Sequence, residues 1–382
     1  METVKGFKDY SGEEAIKRQK LKEVLTRYFT LYGYEPAETP VIEYEKFVKG
    51  DNPQDEAVSD IFKLKDKGKR DLALRYEFTF QLKRLAKNKK LPYRRYTIGE
   101  VFRNEPVSSN RFRQFTQCDV DVIGSTIKDE AEILSITYRI LQELGLKVTI
   151  NINSRKLLNE ILDEQGIKNK EAVIREIDKL DKLSEKEVKN NLKRYKAEKV
   201  LSIFKKPESY FKKYKSYEEI QELRNYCNYY GIKVSFQPSL ARGLSYYTGS
   251  IFEVLSSTMK ETICAGGSYL VNGIQSTGIS FGLERLSKLA KLKLEKKDVL
   301  VVSLNQDREA IKLINDLRDN MIISYIMFGK PSKALDYANN KNIPYVLFVG
   351  EKELKENKFK LKDMKSGKEL NFISPPFLLS HL

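Results

Sequence analysis

Period-two patterning sets the first limit on the fold. Residues 72 to 80, 94 to 103, 112 to 123, 147 to 153, 232 to 236, 248 to 255 and 277 to 282 alternate polar with apolar side chains, or concentrate β-branched and aromatic ones, as strands do. Helical stretches lie between them, but not in strict strand-helix-strand order. The expected class is therefore α+β, built on an antiparallel sheet. A long amphipathic helix opens the chain: Ser11 and Glu14 stand at capping-box spacing, and Ile16, Leu21, Val24, Leu25, Tyr28 and Tyr32 recur near helical period until Gly33.

Texture divides the rest. Lysine is abundant and glycine scarce from about 160 to 230, where helical spacings such as Ile174, Ile177, Leu180 and Val188, Leu192, Tyr195 recur. This stretch reads as a helical insertion, 161 to 230, in a sheet domain made of 1 to 160 and 231 to 292. Solvated lysine faces account for it as well as direct RNA binding does. Beyond the charged junction Lys288 to Lys297, strands are expected at 298 to 304, 323 to 328, 345 to 350 and 358 to 364, with helices at 307 to 320 and 331 to 341. That order makes a compact α/β module, 298 to 382, long enough to fold separately.

Composition narrows the chemistry. Hydrophobic residues are 41% and charged residues 32% of 382, ordinary for a globular chain of two or three domains. Met1 is followed by polar residues, and no run approaches the roughly 18 apolar residues that span a bilayer, so neither secretion nor membrane insertion is expected. Cys118, Cys227 and Cys264 are far apart with no CxxC pair, which argues against zinc or disulfides and for a reducing cytoplasm. The formal charge of +16 attracts polyanions, nucleic acid first among them. The sole histidine is His381. A Ser-His-Asp triad, a Cys-His pair and a histidine metal cage are thereby excluded, leaving carboxylates, arginines, tyrosines or a bound ion to carry the chemistry.

Strand alternation places Arg75, Glu77 and Thr79 on one face of the segment 74 to 80, and Leu74, Tyr76, Phe78 and Phe80 on the other. Taken alone, that is a half-exposed strand. The device recurs in 111 to 123, where Arg113, Phe115, Gln117, Asp119 and Asp121 share a face and Cys118, Val120 and Val122 point into a core. Solvent exposure rarely requires an arginine, an amide and carboxylates in one row, so a concave polar site becomes the better reading. Phe102-Arg-Asn-Glu105, with a loop at 106 to 110, precedes it, and Gly278-Ile-Ser-Phe-Gly-Leu-Glu-Arg285 ends the domain. The planar fork of arginine suits triphosphate oxygens, though either arginine alone is an ordinary surface charge. Between them lie Ala241-Arg-Gly-Leu-Ser-Tyr-Tyr-Thr-Gly249 and Gly266-Gly-Ser-Tyr269, in which tyrosine pairs and glycines suit close approach to a ligand.

Together these elements resemble the histidyl-tRNA synthetase family of class II aminoacyl-tRNA synthetases. Residues 34 to 43 are similar to class motif 1, whose helix, strand and Pro40 belong to the homodimer interface in that family. Phe102 to Asp121 resembles motif 2, and Gly278 to Arg285 resembles motif 3. The elements at 242 to 247 and 266 to 269 resemble signatures of the histidine enzymes. The resemblance implies a class II catalytic domain with a helical insertion and a C-terminal anticodon-binding domain, where Lys330, Lys333 and Lys341 are candidates to face RNA. It further implies that Arg103 and Arg285 hold the ATP phosphates, with Arg111 on the terminal one. Glu105 would meet the adenine amino group, and Phe115 would stack on the base. Glu77, Thr79 and Gln117 would bind the α-amino group of histidine, Asp121 and Tyr247 would read the imidazole beside Tyr246, and Arg242 would face the carboxylate and α-phosphate. Arg103, Arg242 and Arg285 are thus the expected catalytic set, with ATP, Mg²⁺, histidine and tRNA(His) as partners and no protein-held metal.

Four positions depart from the family pattern: Tyr76 stands where proline is usual, Ser245 where aspartate is, and Ser268 and Leu270 replace arginine and aspartate after the glycine pair. They leave the support of the histidine pocket open. Competing expectations are a non-catalytic paralogue, such as an ATP phosphoribosyltransferase regulatory subunit, and a general basic RNA-binding protein.

Overall fold

The computed structural model describes residues 2–50, 56–108, 111–242, 246–256, 262–292, 297–356 and 359–372. Ser245, Asn110 and His381 lie outside them. The chain divides into two compact units, Met1–Leu292 and Lys293–Leu382.

An eight-stranded sheet organises the first unit, in the order Glu35–Pro36, Tyr93–Phe102, Gln114–Ile123, Ile274–Gly282, Thr262–Val271, Tyr247–Ser256, Val148–Ser154, Ser235–Phe236. Neighbours are antiparallel except the outermost pair on each side. Alternation along Gln114–Ile123 buries Cys118, Val120 and Val122 completely on the face covered by helices. The opposite face carries Gln117, Asp119 and Asp121. Helix Ile127–Glu143 packs on the apolar side, with Ile133, Leu134, Ile136, Ile140 and Leu141 fully buried. Its start is fixed by Asp129, which accepts the Thr126 backbone N–H at 2.8 Å.

Helix Gly12–Leu31 opens the chain, but the expected capping box does not form. Ser11 sits at the N-cap without a side-chain bond, because Glu14 is drawn to Lys8 at 2.7 Å instead. Helices Arg155–Glu164, Lys170–Asp178, Glu185–Leu192, Val200–Ile203 and Tyr217–Tyr229 follow the Val148–Ser154 strand. Their Ile174, Ile177, Val188 and Leu192 join the same apolar cluster as the sheet residues.

The expected strand at 72 to 80 ends at Leu74. From there the chain bends, and arginine side chains tie it to its neighbours. Arg75 donates to the carbonyls of Thr39 and Glu100, each at 2.8 Å, and Arg103 donates to that of Tyr76 at 3.1 Å. The expectation of one polar and one buried face fails with the strand: Arg75, Tyr76, Glu77 and Phe78 are all buried. Strand Thr262–Val271 has no clear alternation in the sequence, since Gly266 and Gly267 occupy its middle. A Cβ at Gly267 would lie 2.5 Å from the Ser250 carbonyl, so glycine there permits close strand approach.

The second unit has strand order Ser324–Phe328, Val299–Ser303, Tyr345–Val349, Phe359–Asp363, Glu369–Phe372, the first three parallel and the last two antiparallel. Helices Asp307–Asp319 and Pro331–Lys341 connect the parallel strands, as such crossovers require. Val299, Leu300, Val301 and Val302 are fully buried, so apolar cores lie on both faces of that strand.

One buried ion pair ties three distant segments of the first unit together. Arg18 of the opening helix meets Glu284 at 2.9 Å and donates to the Thr116 hydroxyl at 2.8 Å, while Glu284 also accepts the Thr116 backbone N–H. Removing one partner strands the other away from water. Arg18→Met is expected to lower unfolding free energy by about 3 kcal/mol, read from chemical denaturation. A loss below about 1 kcal/mol, the range of a surface pair, would contradict this account.

Candidate active site

The polar face of the sheet is laid out by register. Asp121 is paired with Arg95 on one side and Gly278 on the other, Asp119 with Thr97 and Ser280, and Gln117 with Gly99 and Gly282. Gly278 is required here: a Cβ would sit 2.0 Å from Asp121 Oδ1. Asp121 is held by an Arg95 contact at 2.8 Å and accepts the Tyr269 hydroxyl. Gln117 donates to Ser280 Oγ at 3.0 Å, and its own carbonyl oxygen is buried without a partner among the described residues.

The bend after Leu74 brings Glu77 and Thr79 to this face. Tyr246 donates to Glu77 Oε2 at 3.3 Å and shares a side-chain hydrogen bond with Thr79. The Tyr246 ring lies 4.8 Å from that of Tyr247 and 5.6 Å from that of Tyr269. Tyr247 in turn feels the charge of Arg242, whose guanidinium reaches Glu253 at 3.4 Å. Glu253 also accepts the Thr262 hydroxyl, and the Thr262 carbonyl accepts Arg285. Arg103 extends the series the other way, with its guanidinium 5.2 Å from the centre of the Phe115 ring. Arg111, exposed, stands 3.9 Å from Glu105. The residues singled out in the sequence thus form a nearly continuous run, from Arg111 through Arg103, Glu77 and the tyrosines to Arg242 and Arg285. Of the lysines in the second unit, Lys330 and Lys333 begin helix Pro331–Lys341 and Lys341 ends it, so they do not form one cluster.

Sequence reasoning missed Arg95, Asp178, Asp181 and Glu253, and named Tyr269 only within the element 266 to 269, without a role. Only the strand register could have found Arg95, whose guanidinium has no exposure at all. Of the departures, Tyr76 fills its place by stacking on Phe80 at 5.7 Å, and Ser268 donates to the buried Glu130. Leu270 is exposed.

Electrostatics are dominated by burial. It pushes Glu77 up to about 7, with Asp119 adding to the rise while Arg103 and the Tyr246 and Tyr76 bonds oppose it. Burial likewise lifts Asp119 to about 7, helped by the charge of Asp121 and opposed by Arg95. Around Arg242, burial works against the cation, but Tyr247, Asp178, Glu253 and Asp181 outweigh it and keep its proton firmly bound. The face therefore alternates anionic and cationic groups, suited to a zwitterion beside a polyphosphate.

A largely antiparallel sheet with such a face, a motif-bearing helix at its end and an α/β module after it define a class II aminoacyl-tRNA synthetase. Residues 6–286 match the family description of histidyl-tRNA synthetase, and residues 298–374 that of an anticodon-binding domain. The chain is 35% identical to histidine-tRNA ligase 1 of Bacillus cereus, covering 97% of both chains. It is also 35% identical to the histidine-tRNA ligase of Wolinella succinogenes, covering 97% of this chain and 96% of that one. In fold it is similar to histidyl-tRNA synthetase from Nostoc sp. PCC 7120, with a TM-score of 0.86 at 24% identity over 100% of this chain and 99% of that one. A Bacillus halodurans chain described as an ATP phosphoribosyltransferase regulatory subunit/histidyl-tRNA synthetase gives a TM-score of 0.75 at 21% identity, over 91% and 97%. The protein belongs to the histidyl-tRNA synthetase family.

A carboxyl with a pKa of about 7 in the fold and an ordinary value of 4.5 holds its proton more tightly when folded. Stability of the ligand-free protein should therefore fall as pH rises from about 4.5 to about 7, then level off. Glu77→Gln should flatten part of that fall and raise the melting temperature at pH 8. A lower melting temperature than wild type at pH 8 would show that the ionised carboxylate is not a burden on the fold.

Proposed function

We propose that this protein is a histidine-tRNA ligase: it joins histidine to ATP as histidyl-adenylate, releasing pyrophosphate, and then passes histidine to the 3′ end of tRNA(His). The observation that carries the reading is the run from Glu77 through Tyr246 and Tyr247 to Arg242, joined by a hydrogen bond, neighbouring rings and a charge interaction. It sets an anionic group for an ammonium and a cationic group for a carboxylate on one face.

In this reading Glu77, Thr79 and Gln117 take the α-ammonium of histidine. Asp121 accepts a ring N–H, with Tyr247 and Tyr246 closing the pocket, and amino acids that leave Asp121 unpaired are rejected at a cost. Arg103 and Arg285 hold the phosphates, Arg111 reaches the terminal one, and Glu105 and Phe115 receive adenine. The histidine carboxylate attacks the α-phosphate, and the bond to the pyrophosphate oxygen breaks. Charge builds on the phosphate oxygens as this happens, and Arg242, already fixed by Glu253, stabilises it without any protein base. ATP enters as its Mg²⁺ complex, the metal belonging to that substrate. In the second step the ribose hydroxyl of the tRNA end attacks the adenylate carbonyl, an adenylate phosphate oxygen accepts the proton, and the bond from the acyl carbon to the phosphate oxygen breaks to release AMP.

The C-terminal unit would bind the anticodon, with Lys330 and Lys333 near its phosphates. Residues 161–230 act as the helical insertion, contributing Asp178 and Asp181 to the surroundings of Arg242. Val41, Ile42, Tyr44 and Leu64 leave an exposed apolar patch around motif 1, which supports a homodimer. No helix of the described residues is long and apolar enough to cross a membrane, and tRNA as substrate with three unpaired cysteines supports a cytoplasmic site of action.

Pyrophosphate exchange with ATP and each amino acid in turn tests the reading. Exchange should require histidine and no other amino acid; silence with all of them would favour the regulatory paralogue. Arg242→Ala should reduce exchange by about 100-fold or more while melting as a folded protein, as loss of a group that stabilises developing charge does. Wild-type exchange in that variant would remove Arg242 from its assigned role.

A further inference from the structure

Arg95 has no part in the chemistry described above, yet it is among the largest wholly buried side chains of the protein. Burying a guanidinium is costly unless it is paired. Its register partner across the strands is Asp121, and its NH2 group lies 2.8 Å from Asp121 Oδ2. The same nitrogen donates to the Phe78 carbonyl at 3.3 Å. Phe78 stands between Glu77 and Thr79 in the bend that replaced the expected strand. One guanidinium therefore touches both ends of the amino-acid pocket: the carboxylate assigned to the imidazole, and the backbone between the two residues assigned to the ammonium. Its Nε and NH1 atoms have no hydrogen-bond partner among the described residues, and neither has Asp121 Oδ2, so an ion pair at one end and a hydrogen bond at the other are what hold it.

We infer that Arg95 is a positioning residue that fixes the separation between the imidazole-reading and ammonium-reading ends of the pocket, and so gauges the length of the amino-acid side chain. This rests on the reading of the site as one that activates histidine. A carboxylate on the Gln114–Ile123 strand and an irregular bend beyond the neighbouring Tyr93–Phe102 strand share no ladder of their own. Arg95, rooted in that neighbouring strand, joins them. Tyr269 fixes Asp121 from the other side, but it does not touch the bend. Charge neutralisation alone would be served by any cation. Both contacts are made by one nitrogen, so what aims it at the two acceptors is the rigid guanidinium plane, whereas the shorter lysine side chain ends in an ammonium that turns freely.

The test compares wild type with Arg95→Lys, Arg95→Met and the double variant Arg95→Met/Asp121→Asn, which leaves neither charge buried alone. Histidine-dependent pyrophosphate exchange is measured with L-histidine and with L-homohistidine, one methylene longer, after each protein is shown to melt cooperatively. Arg95→Lys should raise KM for histidine by about tenfold or more, as loss of a buried charged hydrogen bond does, with KM for ATP unchanged. It should also narrow the preference for histidine over homohistidine, and the double variant should not restore that preference. The inference is overturned if Arg95→Lys keeps the wild-type histidine KM and selectivity. It is equally overturned if the KM values for histidine and ATP rise together, since that marks a general loss of structure. Absence of histidine-dependent exchange in the wild type would instead overturn the reading of the site itself.

Discussion

Charge buried on one face of a sheet whose other face is dry is the constraint on which the rest of this protein depends. The Gln114–Ile123 strand has Cys118, Val120 and Val122 fixed in the helix-packed core, so a shift of one residue would drive Asp119 and Asp121 into it. Register is thus enforced from behind by apolar packing, and the carboxylates on the front are carried to their places whether or not water can reach them. The result is a set of groups with raised carboxyl pKa values, which a substrate bearing an ammonium can relieve.

Much of this was legible in the sequence because period two is a backbone property. The strands at 93 to 102, 114 to 123 and 247 to 256, and the four strands and two helices expected in the C-terminal unit, lie within a residue or two of their expected bounds, while helix Glu351–Glu356 and strand Glu369–Phe372 were not expected. Failures came where side chains compete with the backbone for hydrogen bonds. Where a strand was expected at 74 to 80, Arg103 takes the Tyr76 carbonyl and Arg75 reaches those of Thr39 and Glu100, while Lys8 takes Glu14 from an expected cap. Glycines hid the Thr262–Val271 strand, since a residue without a side chain has no face to reveal.

The site shows the same division. Residues in motifs, such as Arg103, Gln117 and Arg242, could be named from their order along the chain. Groups that act through register could not. Arg95 sits in a strand of ordinary appearance; Tyr269 lies in a named element, but its reach to Asp121 from a strand that pairs beyond Gly278 is set by register. Ser268 shows how a departure is absorbed: it gives the buried Glu130 a hydroxyl partner, leaving that carboxylate with burial rather than a cation to set its pKa of about 6.

A site assembled from carboxylates, guanidinium groups and phenols contains no imidazole of its own, and the whole chain has one histidine in 382 residues. Translating one copy therefore draws on charged tRNA(His) a single time. A cell whose pool of this amino acid is failing can keep making the catalyst that replenishes the charged form, because the catalyst hardly consumes what it supplies.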